Sequence, residues 1–199
     1  KPCSIRFDDE NHLELTADVG MKPPYAFTTQ GGINMPTLVK LNALLASLSA
    51  PEMKSGSLFS SLNATGQIQP WRCEGKATLT ATKVHPASLP EPADLTLDAT
   101  FAGTRADLKS IEAKLGLWKL ALKGVVDDKS ATLSQLQVWQ KDTLLMEGHA
   151  SAPFDVMQTS KADSTPVDVV IKAKDLRLNE VLAAAGIKDI PPGVLNADI

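Results

Sequence analysis

The sequence predicts a mainly β protein of about a dozen short antiparallel strands with two short helices. Three observations carry this. Apolar and polar residues alternate with a period of two through almost the whole chain. Leucines at helical spacing occur in two segments, around 36–48 and 178–185. Those two segments are also copies of each other: Leu41–Leu58, LNALLASLSAPEMKSGSL, returns as Leu178–Leu195, LNEVLAAAGIKDIPPGVL, at a constant offset of 137 without a gap. Leu41, Asn42, Leu45, Ala46, Gly56 and Leu58 recur as Leu178, Asn179, Leu182, Ala183, Gly193 and Leu195. The internal repeat spans 36–68 and 173–199, so residues 1–199 are expected to be one segment of a larger repeat-containing protein.

Taken in order, Ile5 and Phe7 share a face of the first strand. Leu13, Leu15, Ala17 and Val19 do so in the second, with Asp8 to Asn11 as the hairpin turn between them. A short strand is expected over Tyr25–Gln30, broken by Gly31-Gly32. Pro36 suits the start of a helix whose stripe is Leu38, Leu41, Leu44, Leu45 and Leu48, and which would act as a lid on an apolar surface. Strands resume with Leu58, Leu62, Ala64, Gly66 and Ile68, then with Cys73, Gly75, Ala77, Leu79 and Ala81. Leu95, Leu97, Ala99 and Phe101 against Asp94, Thr96, Asp98 and Thr100 form the cleanest strand. One more follows over Ala106–Ala113, carrying Leu108 and Ile111.

Next comes a meander. Trp118, Leu120 and Leu122 lead to a turn at Asp127-Asp128, and Leu133, Leu136 and Val138 return with a phase slip that predicts a bulge. Leu144, Met146, Gly148 and Ala150 follow the turn at Lys141-Asp142. A polar loop is expected over Gln158–Thr165, then a strand with Val167, Val169, Ile171 and Ala173. The second helix, Asn179–Ala185, would be capped by Asn179 and ended by Gly186, with Val181 and Leu182 on its lid face.

Composition bounds the function. Hydrophobic content of 43% predicts a folded chain, yet aromatics are only 5%, and alanine and glycine fill many strand positions. A formal charge of -3 with interspersed signs argues against nucleic acid as a partner. No apolar run reaches the ~18 residues of a membrane-spanning helix. Cys3 and Cys73 could pair if the first strand lay beside the strand at 71–83; two unpaired strand residues is the preferred reading.

Catalytic signatures are absent. His12, His85 and His149 are scattered, without metal-ligand spacing, and no P-loop, G-x-S-x-G, C-x-x-C or G-x-G-x-x-G occurs. Asp8-Asp9 and Asp127-Asp128 sit where turns are expected, and Ser57, Ser60 and Ser61 have no nearby histidine to activate them. No enzyme, cofactor or metal is expected. Trp118 reads as strand-end packing with Leu120 and Leu122, while Trp71 and Trp139 fit either packing or contact with a partner. One sheet face is apolar throughout, and two geometries satisfy that: a closed β-sandwich, or a long sheet folded on itself into an open trough.

A short helix of the form L-x-x-L-L, a loop of about ten residues, then G-x-L opening a strand, set among alternating strands, resembles the AsmA/TamB superfamily. Here the motif is Leu41–Leu48 with Gly56-Ser57-Leu58, and again Leu178–Ala185 with Gly193-Val194-Leu195. Asp168–Gly186, DVVIKAKDLRLNEVLAAAG, looks especially TamB-like. The resemblance implies a folded, groove-like (β-taco) sheet with an apolar interior, in a periplasmic protein anchored in the bacterial inner membrane. It further implies lipid transport between membranes, or outer-membrane protein assembly with an Omp85-type barrel partner. The residues expected to face phospholipid or other acyl chains are Leu95, Leu97, Phe101, Trp118, Leu120, Leu122, Val169 and Ile171, with Leu41, Leu44, Leu45, Leu48, Val181 and Leu182 as helix lids. The competing expectation is a structural or adhesive β-sandwich module that binds protein partners; a third is strand donation to a barrel through a free edge.

Overall fold

The computed structural model describes residues 2–6, 8–153, 167–184, 187 and 193–198. The strands are β1 (Pro2–Arg6), β2 (His12–Val19), β3 (Ala26–Met35), β4 (Met53–Gln67), β5 (Arg72–Pro86) and β6 (Ala93–Gly103). They continue as β7 (Arg105–Leu115), β8 (Trp118–Val126), β9 (Ser130–Gln140), β10 (Thr143–Pro153), β11 (Asp168–Arg177) and β12 (Val194–Asp198). A 3₁₀ turn (Leu38–Leu41) and α1 (Asn42–Ser47) stand between β3 and β4, and α2 (Leu178–Ala184) between β11 and β12. Strands hold 69% of the described residues. They form one antiparallel sheet in chain order, from β1 at one edge to β12 at the other. Short connections favour this meander, because antiparallel neighbours need no crossover. The architecture is therefore one continuous open sheet rather than the two stacked sheets of a β-sandwich.

Eight strands, β4 to β11, separate the two helical segments. An even number in an up-and-down sheet returns the chain to the end it left, so both helical segments sit at the same end of the sheet. The repeat therefore places both of its helical segments at that end. Its shared asparagine has a visible task in the first copy: Asn42 Oδ1 accepts from the Met53 N–H at 2.8 Å, and Asn42 Nδ2 donates to the Met53 carbonyl at 3.0 Å. This latches α1 to the start of β4. Gly56 is equally constrained, with φ at +130° and a built Cβ 2.7 Å from the Val84 Cα. Among the described residues nothing lies within 4 Å of a Cβ built on Gly193, so that constraint is seen in the first copy.

Several expectations are corrected. Gly31-Gly32 does not break a strand. β3 runs through both, and Gly31 pairs with Leu15 and Leu62 in its neighbours. Glycine is accommodated because neighbouring backbone passes so close that a Cβ on Gly32 would stand 2.5 Å from the Ser60 carbonyl oxygen. β1 lies beside β2, with β2, β3 and β4 between it and β5, so the strands of Cys3 and Cys73 are not neighbours; Cys73 is a free, buried thiol.

The leucines of 38–48 do not form one stripe. The segment starts as a 3₁₀ turn, whose three residues per turn stack Leu38 over Leu41, and the α-helix then continues that face at Leu45. Leu38 is buried and Leu41 and Leu45 are half-buried, while Leu44 and Leu48 point outward at 43% and 68% exposure. Asn179 is the second residue of α2 rather than its cap. Gly186 and Gln158–Thr165 lie outside the described residues, as does the side chain of Val181.

The first hairpin turn forms as expected. Asp8 Oδ1 accepts from the Glu10 and Asn11 N–H groups, each at 2.8 Å, and Asn11 Nδ2 donates to Asp8 Oδ2 at 2.7 Å. Asn11 is fully buried, and its Oδ1 accepts from the Thr37 N–H. The backbone and side-chain bonds from Asn11, then the Glu10 N–H, hold the Asp8 carboxyl at about 2 against an ordinary 3.8. A carboxyl depressed in the folded state stabilises above its unfolded pKa, and that contribution is lost as pH falls through the folded value. Asp8 is therefore expected to titrate near pH 2 by NMR, and Asp8→Asn to flatten the acid side of the stability curve below about pH 4. An Asp8 titration at an ordinary carboxylate pKa would contradict this.

Candidate functional site: the apolar face

Residues directly opposite in antiparallel strands project to the same face, so the register defines rows across the sheet. One row reads Ile5, Leu13, Ile33, Ser60, Leu79, Leu97, Ile111, Leu122, Leu136, Gly148 and Ile171, from β1 to β11. Nine of these eleven are Leu or Ile. Ser60 is satisfied locally, its Oγ accepting from the Ile33 N–H at 3.1 Å. The next row toward the helical end contains Met35, Leu58, Ala81, Leu95, Ala113, Leu120, Val138, Met146 and Ala173. Each such cross-strand apolar pair contributes roughly 0.2–1 kcal/mol.

Two bulges keep these rows in phase. One extra residue at Lys109 lets Leu108 and Ile111 share a face, and one at Ser134 does the same for Leu133 and Leu136. A third, at Leu145, has the opposite result: Leu144 pairs with Trp139 on the polar face, away from Met146.

The register places all eight residues named for the apolar face on that face. Leu97, Leu122 and Ile171 lie in the first row, Leu95 and Leu120 in the second, and Trp118 beyond them toward the helical end. Val169 and Phe101 lie in the two rows toward the opposite end. Their row-mates Leu79, Ile111 and Leu136 belong with them, although alternation along each strand does not single them out; only the strand register shows that they align.

Among the described residues, no second layer covers this face. Every residue of the first row is half-buried or exposed, whereas a sandwich core falls near zero exposure. Buried apolar residues are few among the described residues, and include Met35, Leu38, Ala64, Cys73, Ala81 and Leu176. The protein exposes 12819 Å², against about 9,000 Å² for a compact chain of its mass.

Toward the end opposite the helices the row carries mostly small side chains around Phe101 and Val126: Ala17, Thr29, Ala64, Gly75, Ala106, Ala131 and Ala152. Two cavities occupy that space. One of about 540 Å³ lies between the hairpin tips of β4–β5, β6–β7 and β8–β9, lined by Trp71, Cys73, Phe101, Arg105, Ala106 and Val126 among others. The second, about 330 Å³, lies beside it against Leu108, Gly124, Val126, Leu133, Ala150 and Val167. Trp71 stacks on Phe27 at 5.7 Å between ring centroids, with one side of it exposed. Burial pushes the Cys73 thiol upward, as does the charge of Glu74.

The opposite face is polar. Asp98 pairs with Lys76 at 2.9 Å, and Glu112 with Lys119 at 3.3 Å. Lys119 also stands 5.2 Å from the centroid of Trp139, which places that tryptophan on the polar face. Arg105 holds the Asp107 carboxyl below the usual range. Asp127 is a turn carboxylate, accepting from the Lys129 and Ser130 N–H groups, and these lower its pKa. His85 bonds the Leu89 carbonyl oxygen, and His12 and His149 stand apart on the polar face. No cluster of three metal-ligating side chains occurs among the described residues.

The α2 helix reaches the apolar face. Gln140, in the row of Trp118 on β9, donates from Nε2 to Glu180 at 2.7 Å. α2 therefore crosses the end of β10, and Leu182 is half-buried there. No helix of the described residues is long and apolar enough to cross a membrane. No protein-family model, curated protein or solved structure matches this chain.

Proposed function

We propose that this protein is a non-enzymatic, AsmA/TamB-like periplasmic segment whose sheet curves into a groove and shields lipid acyl chains in transit between membranes. The observation that carries the reading is the apolar row from β1 to β11, which no layer of the described residues covers. A soluble chain rarely leaves so much contiguous apolar surface open unless it serves binding. An acyl chain supplies apolar contact without demanding the shaped pocket of a globular ligand, which suits rows of leucine, alanine and valine. The helical segments recur every eight strands at one end, in keeping with an array that extends the same groove. The anchor would be an inner-membrane segment elsewhere in such a protein.

A second reading, assistance to outer-membrane protein assembly with an Omp85-type barrel, draws on β12. It ends the sheet order, so its outer edge is a template for an added strand. Loss of barrel binding on proline substitution in β12, with lipid retention unchanged, would separate this role from the first.

The direct test is native mass spectrometry with lipid extraction of the gently purified protein. Phospholipid is expected to copurify well above a control protein of equal size. A lipid-free mass, with slow exchange of amides along the apolar row, would favour a structural or adhesive module instead.

A further inference from the structure

The larger cavity differs from the rest of the apolar face in having charge at its mouth. Its walls are Phe101, Ala106, Val126, Cys73 and Trp71, and its volume of about 540 Å³ falls within the roughly 300–1,000 Å³ of ligand pockets. Arg105, Asp127 and Asp128 complete the lining. Arg105 donates from Nε to Asp107 Oδ1 at 2.7 Å, its Nη2 stands 2.7 Å from the same oxygen in an ion pair, and its side chain is 53% exposed. Asp127 Oδ1 is engaged within its own turn by the Lys129 and Ser130 N–H groups and the Ser130 hydroxyl. Asp128 is exposed and accepts no side-chain hydrogen bond among the described residues.

We propose that this cavity seats the first part of one acyl chain of a zwitterionic, amine-bearing phospholipid, with its phosphate at Arg105 and its ammonium at Asp128. This rests on the lipid-shielding reading above and adds a headgroup preference to it. The charge balance argues for the zwitterion. Arg105 is already paired with Asp107, so the mouth sets one cation against three carboxylates: a headgroup with net negative charge meets an excess of its own sign, while a paired phosphate and ammonium meets both signs. The small row supplies the volume, and the exposed side of Trp71 offers an amphipathic ring where the chain leaves the water.

The experiment incubates the 199-residue protein with equimolar phosphatidylethanolamine and phosphatidylglycerol of matched acyl chains, and reads retained lipid by native mass spectrometry. The wild type is expected to retain the ethanolamine lipid roughly two- to fivefold over the glycerol lipid, the size one solvent-accessible ion pair supports. Asp128→Lys, at an exposed turn, is expected to cancel or reverse the preference. Bound lipid is also expected to slow alkylation of Cys73, which lies in the cavity wall. Equal retention of the two lipids, a preference that survives Asp128→Lys, or Cys73 alkylation unaffected by lipid would each overturn the proposal while leaving the lipid-shielding reading standing. Retention of neither lipid would overturn both.

Discussion

Leu97→Asp is expected to lower copurifying phospholipid at least about tenfold while the protein still folds cooperatively. Leu97 lies mid-row between Leu79 and Ile111, in the central part of the sheet. A carboxylate there would have to be desolvated under an acyl chain without a partner, at a cost of several kcal/mol, and about 1.4 kcal/mol already accounts for tenfold. Survival of the fold follows from the same geometry. Leu97 is half-buried, not enclosed, so an aspartate can turn to water and the loss of stability stays at about 1–3 kcal/mol. Thr80→Asp is the matched control, an exposed position on the polar face of the neighbouring strand, and is expected to leave lipid retention unchanged. If Leu97→Asp instead unfolds the protein, the face behaves as closed core and the groove reading fails.

Gly56→Ala is expected to destabilise by about 3 kcal/mol, a large effect for one methyl group. With φ at +130° the position favours glycine, and the added Cβ would meet the Val84 Cα at 2.7 Å and Leu38 Cδ1 at 3.2 Å. Backbone cannot yield as a flexible side chain does, so the strain spreads to the contact between the 3₁₀ turn and β4. Denaturant unfolding should show a lower midpoint at an unchanged slope. A loss below about 0.5 kcal/mol would mean that β4 opens its start freely and that the repeated glycine has no packing role.

Much of this fold is legible in the chain because the signals are local. Alternation identifies the strands and the side of each that is apolar, and the three-residue step from Leu133 to Leu136 announces the bulge at Ser134. Asp8 and Asn11 name their own turn through bonds spanning two or three residues. Where local signals conflict with neighbours, they mislead. Gly31-Gly32 looks like a breaker, but strands on both sides hold it in register. Leucine spacing at 38–48 suggests 3.6 residues per turn, and the 3₁₀ start turns Leu44 and Leu48 outward. Leu144 groups with Met146 by alternation because nothing in the chain itself shows that the extra residue falls at Leu145.

The candidate site divides along the same line. Alternating apolar character along a strand is written in consecutive residues, so the eight residues of the apolar face can be chosen from the chain alone. Their alignment into rows depends on register between strands, and the uncovered state of the face depends on the absence of a second sheet among the described residues. The cavity depends on bringing together the tips at Trp71, Gly103 and Asp127, which stand far apart in the chain. These are properties of distant segments meeting, set by summed packing rather than by any local preference, and only the folded sheet expresses them.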